Sequence, residues 1–141
     1  MARFGRRAKL SARTSRLVLD SGAVIALSRG DFQARAYLDR ALELGVEVEI
    51  PVVVVAETLR GTARDAPVHR VLKTIGKVPH ATERVGRLAG HLLGEARSSS
   101  TIDALVVAQT IESGGGTILT GDPSDLEILA DGRAEVRIEA L

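Results

Sequence analysis

The chain has 141 residues, 45% of them hydrophobic, with no cysteine or tryptophan, one tyrosine and two phenylalanines. That length suits one domain around a single core. Zero cysteine excludes a disulfide framework, a thiolate metal site and a cysteine nucleophile, and the scarcity of aromatics excludes the stacking platforms on which many proteins hold unpaired bases. Net charge is only +1, but Arg3, Arg6, Arg7, Lys9, Arg13 and Arg16 are six of the 19 basic residues, so the rest of the chain sets 13 basic against all 18 acidic residues.

Residues 1–16 therefore read as a basic extension ahead of a mildly acidic body over 17–141. Such tails can hold phosphates, although a solvated extension is the simpler reading. The apolar run from Leu17 to Leu27 is interrupted by Asp20, Ser21 and Gly22, which argues against a secretory leader. No window is long and clean enough for a membrane span, so the expectation is a soluble, cytoplasmic protein.

Leu17-Val18-Leu19 is a short strand ended by an Asp20-Ser21-Gly22 turn. From Asp31 to Leu44, the residues Ala34, Tyr37, Leu38, Ala41 and Leu42 form one helical stripe, with Gly45 as its stop. Val46, Val48 and Ile50 alternate with Glu47 and Glu49 as a second strand. Four valines favour a strand after Pro51, but a strand running through the proline would lose a ladder donor, so Pro51 to Gly61 is read as a helix. A helix follows around Val68, Leu72 and Ile75, and then an extended third strand at Val78 to Ala81. Thr82 caps a helix to about Arg97, a polar loop follows to Thr101, and Asp103 lies in the first turn of an apolar helix through Ile111. Thr117 to Thr120 is a buried-type strand stopping at Gly121-Asp122-Pro123, before a short helix from Ser124 to Ala130 and a last strand at Val136 to Ile138 with mixed faces. The alternation predicts an α/β fold: a three-layer α/β/α sandwich on a mainly parallel sheet.

Four carboxylates stand where apolar segments meet turns or helix starts: Asp20, Glu57, Asp103 and Asp122. Each of the three aspartates has a plain structural use as a turn former or helix cap. Glu57 is harder to dismiss, because Ala56 and Leu59 flank it and a carboxylate in apolar surroundings needs a partner. A parallel sheet would bring Asp20 and Asp122 to one rim. Gathered carboxylates resist joint ionisation unless a cation neutralises them, and an all-oxygen set suits Mg²⁺ or Mn²⁺. The chemistry indicated is metal-dependent work on a phosphate.

Other features say less. His69, His80 and His91 share no ligand spacing, and Gly114 to Gly116 lacks the Gly-Lys-Ser/Thr of a phosphate loop. Arg60 and Arg97 lie near the acids in sequence and could meet phosphates, though solvated charges are the simpler reading. A phosphoacceptor domain would need an acid pair after the first strand, an aspartate after the third and a lysine after the last; this chain supplies none of these.

The blocks Leu17-Val-Leu-Asp20-Ser21-Gly-Ala-Val-Ile-Ala-Leu27, Val55-Ala-Glu57-Thr-Leu-Arg-Gly61, Ile102-Asp103-Ala-Leu-Val-Val-Ala108 and Ile118-Leu-Thr120-Gly-Asp122-Pro-Ser-Asp125-Leu126 together resemble the four acidic blocks of PIN domains, nearest the VapC-type toxins. The resemblance covers residues 17–141. It implies an endoribonuclease with Mg²⁺ or Mn²⁺ on Asp20, Glu57, Asp103 and Asp122, cutting tRNA or rRNA. Ser21 and Thr120 match small hydroxyl neighbours of the acids, and Asp125 is a possible outer acid. It also implies a VapB-type antitoxin, a homodimer and a larger toxin–antitoxin complex. The alternative is a PIN-fold module that binds RNA or protein and has lost catalysis.

Overall fold

The computed structural model describes residue 10, residues 15–75 and residues 77–141. The basic extension read over residues 1–16 lies largely outside them. Its last residue, Arg16, opens β1 (Arg16–Leu19), one residue ahead of the strand read from the sequence.

Continuous apolar strands ask to be covered on both faces, and that is how they are used. β1, β2 (Glu47–Glu49), β3 (Gly116–Thr120) and β4 (Val136–Ala140) form one sheet in the order β2-β1-β3-β4, with every pairing parallel. Leu17, Val18, Leu19, Ile118 and Leu119 at its centre are fully buried. Helices α1 (Ser21–Ser28), α2 (Phe32–Glu43), α3 (Val52–Thr58) and α4 (Ala66–Ile75) gather around α1, whereas α5 (Glu83–Ala96), α6 (Thr101–Glu112) and α7 (Ser124–Leu129) pack on one another. The chain leaves β1 toward β2 on one side and returns to β3 on the other. The topological switch point of the sheet, where such folds place ligands, lies between β1 and β3.

Most predicted elements form, and the departures have local causes. No turn follows β1: Asp20 is the N-cap residue of α1 in extended conformation, and the helix starts at once. The helix after Pro51 forms, with Val54 and Thr58 buried one turn apart. Residues 78–81 join no sheet; Pro79 lacks a donor and Val78 is exposed, and just before them Lys77 is held to the end of β2 by its carbonyl on the Ile50 N–H (3.0 Å) and its ammonium on Glu47 (2.6 Å). The sheet therefore has four strands with Thr117–Thr120 in the third. Leu42, assigned to the buried stripe of α2, is exposed.

Caps fix the helix ends that matter for the rim. Thr82 Oγ1 accepts from the Val85 N–H at 3.2 Å, as its position predicted. At the other end of α5 the capping residue is Arg97, with φ 51° and ψ 45°, and the Ser98 N–H closes back on the Leu93 carbonyl at 3.0 Å. Left-handed backbone costs a residue with a side chain about 1–2 kcal/mol, while glycine forfeits about 0.5–1 kcal/mol through its freer unfolded chain. Arg97→Gly is therefore expected to stabilise the fold by up to about 1 kcal/mol, read as a small rise in melting temperature. A fall would reveal a stabilising contact of the arginine side chain.

Candidate metal centre

The C-terminal ends of β1 and β3 are held together at backbone distance. Asp20 N–H donates to the Leu119 carbonyl at 3.0 Å, extending the parallel ladder one residue past β1. Immediately beyond, Gly22 of α1 lies against the Gly121 backbone: a Cβ on Gly22 would stand 2.8 Å from Gly121 N and 3.2 Å from its Cα. Only glycine permits that approach. The sequence carried the signal, a glycine one or two residues from each strand-terminal acid, but as a turn former it had a sufficient other explanation.

One hydroxyl ties the two acid-bearing turns together. Thr120 Oγ1 donates to Asp20 Oδ2 at 2.9 Å and accepts from the Asp122 backbone N–H at 3.1 Å. Asp20 is only 7% exposed, and although it occupies the N-cap position its carboxylate makes no capping bond. It is committed to the rim rather than to the helix.

The remaining acids arrive from helices. Asp103 comes from the first turn of α6 and is half-buried. Its carboxyl is pushed up from 3.8 to about 6, first by burial and then by the negative charges of Asp20, Asp125, Glu57 and Asp122. All four charges act on Asp103, that of Asp125 included. Ser100, which precedes α6, donates through Oγ to Asp125 Oδ2 at 3.1 Å and links α6 to α7. Glu57 belongs to the group but not in the surroundings expected of it: α3 turns Val54 and Thr58 inward, and Glu57 is exposed. Asp122 and Asp125 are exposed too, and Ser21 is half-buried.

None of these five carboxylates is ion-paired with a lysine or arginine among the described residues, whereas Glu43, Glu47, Glu49, Glu83, Glu95 and Glu112 all are. Nor do any three His, Asp or Glu side chains among the described residues gather closely enough to hold a metal ion as they stand. The donor set nonetheless fits a hard divalent cation. It is all carboxylate and uncompensated, and Mg²⁺ keeps several of its own waters, through which it reaches acids it does not touch directly. Asp20, Asp103, Asp122 and Glu57 are the residues that would hold it, with Asp125 outside them.

The molecule is thus an α/β domain with a bare acidic rim at the switch point of a parallel sheet. Residues 17–130 match the PIN domain family, and the chain belongs to it. No protein with a curated description matches the sequence. Among solved structures, the chain is similar to VapBC2 from Rickettsia felis bound to a promoter DNA fragment, with a TM-score of 0.71 and 12% identity over 89% of this chain and 98% of that one. It is also similar to a toxin–antitoxin complex from Klebsiella pneumoniae, with a TM-score of 0.64 and 17% identity over 85% and 94%. A third is VapBC-5 from Mycobacterium tuberculosis, with a TM-score of 0.57 and 22% identity over 90% and 99%. At these identities the likeness is one of fold.

Two outcomes follow from the rim. The folded protein holds the Asp103 proton to about pH 6, above the unfolded value near 3.8, so without metal this group's contribution to stability falls as pH rises between them and stays lost above. Asp103→Asn, which cannot ionise, should melt higher than the parent at pH 7 to 8 without metal and alike near pH 4; equal melting at both would show that the charges do not meet. Gly22→Ala must push the Gly121 backbone away, an overpacking cost of about 1–3 kcal/mol. It should weaken Mn²⁺ binding, measured calorimetrically, along with the melting temperature, and unchanged Mn²⁺ affinity would separate the glycine contact from the site.

Proposed function

We propose that the chain is a divalent-metal-dependent endoribonuclease acting as the toxin of a VapBC-type pair. The observation that carries this reading is the Thr120 hydroxyl that holds the buried Asp20 carboxylate beside the Asp122 turn, with no basic partner for either acid among the described residues, on a PIN domain. The reaction is hydrolysis: the oxygen of a water forms a bond to phosphorus, one P–O ester bond of the RNA backbone breaks, and the leaving oxygen takes a proton. A bound Mg²⁺ or Mn²⁺ supplies Lewis acidity at the scissile phosphate and makes the attacking water more acidic.

The chain's own part is to hold and orient. Thr120 fixes the direction of the Asp20 carboxylate through a 2.9 Å hydrogen bond and the Asp122 turn through a 3.1 Å one, so two acids from different strands keep one relative position. Asp103, in the first turn of α6, feels the charge of both. Ser100 steadies Asp125 from beneath, which suits Asp125 to an outer role. Ser21, at the start of α1 and next to Asp20 in the chain, is proposed as a donor to a bound water or phosphate.

A protein partner of the antitoxin kind is part of the proposal, supported by the toxin–antitoxin complexes among the fold's neighbours. A groove lies away from the acids, between α1, α2 and α4, lined by Leu27, Leu38, Val71 and Ile75 together with Arg35 and Arg70. An apolar segment with acidic flanks would suit it. Val52 on α3 and Ile102 on α6 are exposed on helices that touch, an apolar surface that supports a homodimer. No helix among the described residues is long and apolar enough to cross a membrane, and the cytoplasm, where RNA and a partner antitoxin are met, is the proposed location.

Cleavage of total tRNA and rRNA with Mn²⁺ or Mg²⁺ tests the reading. Cuts are expected that EDTA removes, and Asp103→Asn, which keeps the side-chain volume but loses the charge, should abolish them while leaving the protein folded. Wild-type turnover in that variant would defeat the assignment. RNA binding without cleavage in the parent would favour instead a PIN-fold binding module, a reading that the spacing of the acids also allows.

A further inference from the structure

We infer that Arg97 positions the substrate: its guanidinium takes a backbone phosphate of the RNA strand laid across the acidic rim. This rests on the nuclease reading and names how that site holds its polyanion. Every other positive-φ residue described is a glycine, at positions 30, 45, 61, 114, 115 and 132, and Arg97, with φ 51°, is the exception. A chain that supplies glycine wherever the backbone turns left-handed has placed its costliest departure here, and such outliers point to function.

Position and charge give the outlier its meaning. Arg97 opens the link of residues 97–100 between α5 and α6, which ends at Ser100, the residue bonded to Asp125, and leads into the turn carrying Asp103. Three residues of chain span about 10 Å at most, so Arg97 stands beside the rim at its α7 side. The link is held by bonds of its own: Ser98 N–H to the Leu93 carbonyl at 3.0 Å, Ser100 N–H to Ser98 Oγ at 3.0 Å, and Thr101 N–H to the Ser99 carbonyl at 2.9 Å. The arginine therefore projects from an ordered turn. It is exposed and has no acid partner among the described residues, whereas Arg84 and Arg87 of the same helix are both ion-paired.

An RNA strand approaching five uncompensated carboxylates is repelled by each of them. A fixed cation beside the rim offsets that repulsion where the phosphates must lie, and the planar guanidinium fork matches a phosphate's oxygens. Such a contact sets register and orientation without reading sequence.

The experiment uses the full chain carrying Asp103→Asn, which cannot turn over, with Mn²⁺ and a fluorescein-labelled single-stranded oligoribonucleotide of mixed sequence, and follows anisotropy against salt concentration. Adding Arg97→Gly should weaken binding several-fold and flatten the slope of log K against log salt by about 0.7, the value of one single-strand phosphate. Arg97→Lys should restore the slope. The glycine variant should melt no lower than its parent, so a folding defect cannot produce the loss. Unchanged affinity and slope in Arg97→Gly, with the parent binding RNA normally, would overturn this inference and leave the nuclease reading standing; a parent that binds no RNA, together with no metal-dependent cleavage by the wild-type chain, would overturn both.

Discussion

The geometry of the rim depends on how closely the ends of β1 and β3 approach one another. Parallel strands bring two chain segments into register, but the segments separate as soon as each enters its next element. Here the separation is delayed by the Asp20 N–H bond to Leu119, the Gly22–Gly121 contact and the Thr120 hydroxyl shared between Asp20 and Asp122. All three act within a few residues of the strand ends. They hold a buried carboxylate next to a second acid-bearing turn, which neither helix propensity nor the sheet would do alone.

That proximity is electrostatically costly, and the rest of the molecule shows what the chain does with acids it intends only to stabilise. At the junction of β1 with β2, Glu49 is 3% exposed and takes Arg16 Nε at 2.9 Å, while Glu47 takes Arg16 at 3.1 Å and Lys77 at 2.6 Å. The Lys77 and Arg16 bonds hold the Glu47 carboxyl below its usual range, and Glu47 in turn raises Lys77. Even there compensation is incomplete, since Glu49 Oε1 is buried without a hydrogen-bond partner. At the rim, no described lysine or arginine performs this service. The buried acid of the β1–β2 junction is thus neutralised in place while the buried Asp20 of the rim is not, and stability given up at a site is the ordinary cost of function.

Much of this was legible in the sequence because it was written in local patterns. The stripe Ala34, Tyr37, Leu38 and Ala41, the cap at Thr82 and the apolar strand before Thr120 each depend on neighbours a few residues away. The acids could be grouped from the strand-then-acid theme together with the rule that parallel sheets align their strand ends. What could not be read required distance across the chain. Whether Glu57 faced the core or the solvent depended on which side of a seven-residue helix met α1 and α6. That Leu42 is exposed and residues 78–81 stay outside the sheet likewise depended on where partners ended. The Thr120 bridge joins residues 100 apart in the chain; its resemblance to a family's small hydroxyl could suggest a role but not a bond.

On the nuclease reading, the same repulsion that raises Asp103 links cation and substrate. RNA and the rim are both anionic, so each stands in the way of the other until a divalent cation lies between them. A cation that neutralises the carboxylates therefore increases the affinity for RNA, and linkage requires RNA to increase the affinity for the cation by the same factor. A partner protein could occupy the same place only by bringing positive charge of its own. One uncompensated cluster thus sets a common condition on the metal, the substrate and any inhibitor that covers the site.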